Sequence, residues 1–406
     1  MSGKLRINGK RLLDNLFELG KLGTLPGGGY CRLAATTENK LGRDYVVGKM
    51  KALGMSIRVD EIGNVTGVYA GETDLPPVMI GSHIDTVGTG GLYDGNYGVL
   101  SGLEVVATLK DAGIRPHRPV AVTFLTNEEG VRLPDMMGSV VWSKQYALAD
   151  ALAAKDLDGI SVGEALATIG YKGEAKTGDF AVDSYLELHI KQGPILDKDK
   201  INIGVVTACR AFPGTNTPSR AWPTTPMSMR HDAGLVATKI ATYAREISKT
   251  LGGNQVATVG YIDFKPNLIN VIPDHAVVTI DLRNTNNELL KQAEKMLHDY
   301  ALAAAKEEGT EISYRSLVRF NPVVFAAEIV GAVEAEAKAQ GFSNRHMPSG
   351  AGHDAQFMAG VCPAGMIFVP CKDGISHNVT EYSAPEDLEN GANVLLNVVY
   401  ARAIRQ

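Results

Sequence analysis

The sequence is poor in the features that define several classes of protein. Its four cysteines, Cys31, Cys209, Cys362 and Cys371, lack zinc-finger spacing, so we expect reduced, mostly structural thiols. No long uncharged apolar run predicts a membrane span, and no basic patch predicts a nucleic-acid partner in a chain of net charge −5. The N-terminus lacks the apolar core of a signal peptide, which favours a cytoplasmic location.

The length of the chain and its changes of pattern predict two domains. At 406 residues the chain is too long for one ordinary core. Helical and strand patterns alternate in residues 1–207 and resume in residues 320–406, which is typical of an α/β domain. Residues 208–319 contain two long helical patterns and several strand patterns, which predicts an inserted α+β unit.

One stretch carries most of the chemical information. The apolar run 78–82 leads into His83 and Asp85, and Asp94 follows in the glycine-rich loop 90–95. His83 would bind a metal ion through one ring nitrogen, while the Asp85 carboxylate would accept a hydrogen bond from the other and select the tautomer. Asp94 would be a further ligand. For an isolated His-x-Asp, a surface loop with scattered polar residues is the more common explanation.

Three further apolar strands, at 119–125, 185–190 and 365–370, lie next to side chains of the same kind. These side chains are Glu128, Glu129, His189, His353 and His377. Ligands bind at the carboxyl ends of strands in open α/β sheets, so we expect one convergent site. A solvated pair of glutamates in a turn is the alternative for Glu128 and Glu129 when that pair is considered alone.

The histidines, the glutamate pair and Asp94 suit two divalent ions that share one carboxylate. With these residues in place, the sequence resembles the M20-type amidohydrolase and peptidase clan, and within it the group of N-carbamoyl-L-amino-acid hydrolases, β-ureidopropionases and allantoate amidohydrolases. The motifs that carry the resemblance span nearly the whole chain: Cys31-Arg32-Leu33-Ala34, Gly42-Arg43-Asp44, Gly81 to Asp85, Tyr93-Asp94-Gly95, Asn127-Glu128-Glu129-Gly130, Glu187-Leu188-His189, Gln192-Gly193-Pro194, Asn270-Val271-Ile272-Pro273, Asp281-Leu282-Arg283 and residues 348–356.

The resemblance implies a site with two metal ions. His83, Asp94 and His189 would hold one ion, and Asp94, Glu129 and His377 would hold the other. Zinc, manganese or cobalt are the expected metals, because mixed imidazole and carboxylate ligands do not discriminate sharply among them.

The resemblance also implies roles for residues beside the ions. Glu128 would be the general base that takes a proton from the attacking water and later gives it to the leaving nitrogen. Asp85 would orient His83, and His353 would act behind the ligands or on the substrate side.

Three residues resemble the substrate-recognition set of the group: Gln192, Asn270 and Arg283. Arg283 offers a forked guanidinium to a substrate carboxylate, and a surface salt bridge is its alternative role. The expected reaction is hydrolysis of a linear ureido or amide C–N bond in a small carboxylate, an N-carbamoyl-L-amino acid or N-carbamoyl-β-alanine. The alternatives are allantoate or ureidoglycolate-type nitrogen salvage, aminoacylase or dipeptidase action, and a weakened metal-binding homologue.

An architecture follows from the same resemblance. Residues 1–207 and 320–406 would form an α/β, metal-dependent exopeptidase-like catalytic domain. Residues 208–319 would form an inserted α+β lid and dimerisation domain of ferredoxin-like arrangement, so a homodimer is the expected state.

The segment 208–223 departs from the pattern of the group. The group has a strand here that leads into His-Ala-Gly, whose histidine supplies an oxyanion-type donor to the neighbouring subunit's substrate. This segment contains no histidine, and Pro213 and Pro218 predict poor strand character over 208–218. Read one nucleotide earlier with permissive synonymous codons, it becomes Gly-Val-Gln-Gly-Val-Pro-Arg-Tyr-Glu-His-Thr-Val-Thr-Gly-Met-Ala. We therefore hypothesise an out-of-frame segment with a small deletion.

Overall fold

The computed structural model describes residues 4–209, 213–216, 219–220 and 227–404, with the backbone alone at 213–216, 219–220, 228 and 316–319. Its strands are β1 Ser56–Val59, β2 Val65–Tyr69, β3 Val78–His83, β4 Val120–Leu125, β5 Ser184–Ile190, β6 Ile203–Cys209, β7 Pro213–Asn216, β8 Ser219–Arg220, β9 Val256–Lys265, β10 His275–Arg283, β11 Arg315–Arg319, β12 Val323–Val324, β13 Asn344–Ser349 and β14 Ala364–Val369. Its helices are α1 Gly9–Gly20, α2 Thr37–Ala52, α3 Asn96–Asp111, α4 Met137–Trp142, α5 Leu148–Ala153, α6 Val162–Ile169, α7 Ile195–Asp199, α8 Ala233–Leu251, α9 Asn287–Glu308, α10 Ala327–Ala339, α11 Asp354–Met358 and α12 Pro385–Ala403.

The chain divides into two compact units. The first consists of Met1–Thr207, Phe325–Met347 and His353–Gln406, and the second of Ala208–Val324 and Pro348–Gly352. The return to the first unit therefore comes at residue 325 and not at the predicted residue 320. The reason is that β12 still pairs with the part of β6 that belongs to the second unit.

A mixed sheet forms the centre of the first unit. Its order is β1-β2-β4-β3-β5-β14-β6, with β13 paired to β6. Strands β4, β3, β5 and β14 are neighbours and run parallel, whereas the outer strands join antiparallel. Every residue of these four parallel strands is buried, as expected for a sheet that is covered on both faces. The predicted α/β class is confirmed by this arrangement.

The helices of the first unit follow the apolar spacing of the sequence. In α1, Leu12, Leu16 and Leu19 recur at helical spacing and are buried. Asn8 caps this helix, because its side-chain oxygen accepts a hydrogen bond from the N–H of Arg11 at 3.0 Å. Helix α3 is buried along nearly its whole length and packs against β3. Among the residues described, no helix is both long enough and apolar enough to cross a membrane.

The second unit has the predicted α+β composition. Its sheet has the order β11-β7-β10-β8, and β9 also pairs with β10. Burial alternates along β10, where Ala276, Val278, Ile280 and Leu282 are buried. These side chains form a separate apolar core with the buried faces of α8 and α9. A period of two in a strand and of 3.6 in the facing helices is sufficient to build such a two-layer core.

The structure corrects the prediction of poor strand character over 208–218. The backbone forms β7 between β10 and β11, and β8 pairs with β10. Pro213 is tolerated because it is the first residue of its strand, where a missing N–H costs least. The pairing of β7 with β11 shifts register between Ser316 and Arg319. The remainder of the anomalous segment, at 210–212, 217–218 and 221–223, lies outside the described residues, as do the side chains of β7 and β8.

Candidate active site

The four parallel strands of the first unit bring the predicted side chains to one edge of the sheet. His83 ends β3 and pairs with the last residue of β4, which leads into Glu128 and Glu129. His189 lies near the end of β5, and β14 leads into the loop of His377. Because parallel strands end at the same edge, the residues converge although they are far apart in the sequence.

Asp94 lies at the centre of these side chains. Its Oδ1 atom is 3.1 Å from Nε2 of His189 and 3.5 Å from Nε2 of His83, and we call these residues the inner triad. Its Oδ2 atom is 3.4 Å from Nε2 of His377, which is 3.3 Å from Oε2 of Glu129, and we call Asp94, Glu129 and His377 the outer triad. In each triad the potential ligand atoms lie within 4.8 Å of one another. One carboxylate therefore serves both triads, with one oxygen facing each.

The two inner histidines have their tautomers set by the backbone. Nδ1 of His83 lies 2.9 Å from the carbonyl oxygen of Asp85, and Nδ1 of His189 lies 2.9 Å from the carbonyl oxygen of Ile190. A carbonyl oxygen only accepts, so each Nδ1 carries the proton and each Nε2 presents a lone pair towards Asp94. Nε2 of His83 is buried and has no hydrogen-bond partner among the described residues. Nε2 and a carboxylate oxygen repel each other unless a proton or a metal ion lies between them, and a mixed imidazole and carboxylate donor set suits a divalent ion.

The surrounding carboxylates make the same demand for positive charge. Burial, with Glu129 beside it, raises the pKa of Glu128 well above its ordinary value. Burial and then the charge of Asp94 raise the pKa of Glu129 to about 7. Burial opposes protonation of His83, but the negative charges of the neighbouring carboxylates, of which Glu128 has the largest effect, raise the pKa of His83 well above the usual range. Without a metal ion, a proton would have to take the place of the cation.

Asp85 acts differently from the prediction. Its carboxylate Oδ1 is 4.0 Å from Nδ1 of His83, and it is the carbonyl oxygen that makes the 2.9 Å contact. The carboxylate Oδ2 instead accepts a hydrogen bond from the N–H of Glu129 at 3.2 Å. Asp85 therefore orients His83 through its main-chain carbonyl and the turn at Glu129 through its side chain.

His353 packs behind the inner triad. Its ring centre is 4.6 Å from that of His189, in an edge-on arrangement. Burial lowers the pKa of His353 well below its usual value. Glu187, which the site prediction did not include, lies close to both rings and forms a third group of potential ligands with them. Its oxygens accept hydrogen bonds from the Ser82 hydroxyl and the Ala355 N–H, both at 2.8 Å.

The residues predicted to recognise substrate fall in both units. Gln192 lies in the first, where its Nε2 donates to Asp94 Oδ2 at 2.9 Å. Asn270 is exposed in the second unit, between β9 and β10. Arg283 ends β10, and its Nε and Nη2 donate to Oδ2 of Asp281 at 2.9 and 2.7 Å. Its Nη1 donates to the carbonyl oxygen of Gly350 at 3.0 Å.

Comparison with known proteins places this site in a family. Residues 79–401 match Peptidase family M20/M25/M40. The chain belongs to this family. It is 37% identical to an N-carbamoyl-L-amino-acid amidohydrolase of Rhizobium meliloti, over 98% of this chain and 97% of that one. It is 33% identical to an allantoate amidohydrolase of Escherichia coli strain K12, over 95% and 96% of the two chains.

The structure of this M20-family chain also has a close counterpart. An amidase of the hydantoinase/carbamoylase family from Burkholderia vietnamiensis superposes with a TM-score of 0.93 at 41% identity, and the match covers 100% of each chain. The predicted membership of the M20-type clan and the predicted fold class are therefore confirmed.

Proposed function

We propose that this M20-family hydrolase cleaves the ureido C–N bond of N-carbamoyl-L-amino acids, with N-carbamoyl-β-alanine as the nearest variant. The chain matches amidohydrolases of ureido and amide C–N bonds along its full length, and the N-carbamoyl-L-amino-acid enzyme of Rhizobium meliloti is similar at 37% identity. The observation that carries the proposal is the position of Asp94, which presents one oxygen to each of two triads.

The triads would hold two divalent ions, zinc or manganese with cobalt as a substitute. When bound, such ions supply Lewis acidity that polarises the substrate carbonyl and makes a water a usable nucleophile near neutral pH. Asp94 would hold the two positions together, and the Nδ1 bonds of His83 and His189 would keep both imidazoles in the ligating tautomer.

Glu128 would move the proton. Its carboxylate is buried and belongs to neither triad, and its Oε2 lies 3.5 Å from Nε2 of His83. It would take a proton from the attacking water and deliver it to the nitrogen that leaves as the C–N bond breaks. The carbamoyl group would leave as ammonia and carbon dioxide, and the amino acid would be released with its amine free.

The carboxylate of the substrate would be recognised by Arg283, with Gln192 and Asn270 as polar partners. Arg283 is already held by Asp281 and the Gly350 carbonyl, which fixes the plane of its guanidinium. We further propose that the protein is a homodimer assembled through the second unit and that it works in the cytoplasm. None of the four cysteines forms a disulfide among the described residues, in keeping with a reducing compartment.

A substrate panel on metal-replete protein tests the proposal. N-carbamoyl-L-amino acids should be turned over at about 1–10³ per second, with stoichiometric amino acid and ammonia, and chelation should abolish the activity until zinc, manganese or cobalt is restored. Turnover of allantoate in preference to every carbamoyl amino acid would assign the protein to the second candidate. Bound metal without turnover of any member of the panel would indicate the weakened homologue.

A further inference from the structure

Glu381 is a buried carboxylate that reaches the glycine-rich loop before Asp94. Its Oε1 atom accepts hydrogen bonds from the N–H of Tyr93 at 2.8 Å and from the N–H of Asp94 at 3.2 Å. The residue is 7% exposed, and among the described residues it belongs to no group of potential metal ligands. Through Oε1 it therefore holds the main chain that carries the shared carboxylate.

The same residue closes the loop that carries His377. The N–H of Glu381 donates to the carbonyl oxygen of Asn378 at 3.0 Å, and the N–H of Lys372 donates to that of Tyr382 at 2.8 Å. His377 itself has a positive φ of 55° and a side chain that is 47% exposed. Because the side chain is half exposed, the position of its imidazole depends on this loop and on the polar contacts of Nε2 with Asp94, Glu129 and Gln192.

Gly91 shows how closely the two loops meet. A Cβ atom at this position would lie 2.2 Å from Cδ and 2.3 Å from Oε1 of Glu381, and the three nearest atoms all belong to Glu381. Gly91 does not have a positive φ, so its backbone conformation does not by itself exclude alanine. Glycine is therefore required at residue 91 to leave room for the Glu381 side chain.

We propose that Glu381 is a positioning residue that locks Asp94 and His377 into one arrangement, so that metal binding by the outer triad depends on it. The inner triad depends on it less, because His83 and His189 are held by buried strands and by their own carbonyl contacts. This inference rests on the proposed function, since it assumes that both triads bind metal.

The first test compares Glu381→Ala with Glu381→Gln. Alanine leaves the two N–H groups without their acceptor, and should weaken zinc binding by the outer triad by about 10–100-fold while the inner triad keeps its ion. Glutamine retains an acceptor oxygen, so it should recover most of that loss. Zinc per chain is measured by elemental analysis after dialysis against graded chelator, with His377→Ala as the reference for loss of the outer ion. Thermal unfolding of the metal-free proteins checks that each variant is folded.

A matched pair of glycine variants tests the same contact from the other loop. Gly91→Ala places a methyl group against the Glu381 carboxylate and should reproduce the zinc loss of Glu381→Ala. Gly88 lies in the same connection between β3 and α3, and a Cβ atom there would have no atom within 4 Å. Gly88→Ala should therefore retain both ions. Equal behaviour of the two glycine variants, or two tightly held ions in Glu381→Ala, would overturn the inference. A wild-type chain that binds no zinc would overturn the proposed function as well.

Discussion

Oε2 of Glu128 lies 3.5 Å from Nε2 of His83, the buried ring nitrogen that has no hydrogen-bond partner among the described residues. The carboxylate is thus beside the inner triad without being part of either triad. Burial, with Glu129 beside it, raises the pKa of Glu128 well above its ordinary value. This geometry supports the proposed division between residues that bind ions and one residue that moves protons.

Replacement of Glu128 by Gln is therefore expected to keep both metal ions and to lower turnover by about 10²–10⁴-fold, because only the proton carrier is removed. The measurements are metal content and kcat on the same preparation. Glu129→Gln is the matched control, and it should lose the outer ion. Metal loss in Glu128→Gln with retention in Glu129→Gln would mean that the two glutamates have exchanged roles.

Gly95 lies against the imidazole of His83. Its φ is 65°, and a Cβ atom there would be 2.4–2.5 Å from the ring. Gly113 has a similar φ of 68° with no atom within 4 Å of such a Cβ. Alanine at either position should cost about 1 kcal/mol through backbone strain, whereas Gly95→Ala should cost ~1–3 kcal/mol more through overpacking and should displace His83. Thermal unfolding and zinc titration of the pair check this difference, and equal zinc affinity in both would contradict it.

The two triads differ in exposure, which predicts unequal retention of metal. The side chains of His83 and His189 are each 1% exposed, whereas that of His377 is 47% exposed. Dialysis against a mild chelator should therefore remove one ion well before the other, since a half-exposed ligand opens easily to water. His377→Ala should bind a single ion, at the inner triad. His189→Ala should weaken binding of the ion at the inner triad. Simultaneous loss of both ions from the wild type would count against this difference.

The segment 208–223 gives a test of the frame hypothesis. Replacement by the alternate-frame strand ending in His-Ala-Gly should raise turnover by about 10²–10³-fold, the usual contribution of one oxyanion donor. The same replacement ending in Ala-Ala-Gly isolates the histidine from the strand. Should the unaltered chain already turn over a carbamoyl amino acid at about 1–10³ per second, another donor has taken that role and the hypothesis is wrong.

The sequence alone predicted a large part of the fold and most of the ligand candidates. The alternation of apolar strands and helices is a local pattern, and it placed β3, β4, β5 and β14 to within a residue or two. The strands β7 and β8 were missed, because their stability comes from pairing with β10 and not from their own composition.

What the sequence by itself determined is the kind of chemistry: histidines and carboxylates that follow buried strands must meet at one sheet edge. Only the tertiary structure decided how they meet. It assigned one oxygen of Asp94 to each triad. It also showed that Nδ1 of His83 contacts the carbonyl oxygen of Asp85 and not the predicted carboxylate. It also brought Glu381 to the N–H of Asp94 across 287 positions of sequence. Strand order and loop packing set such contacts, and no local pattern records them.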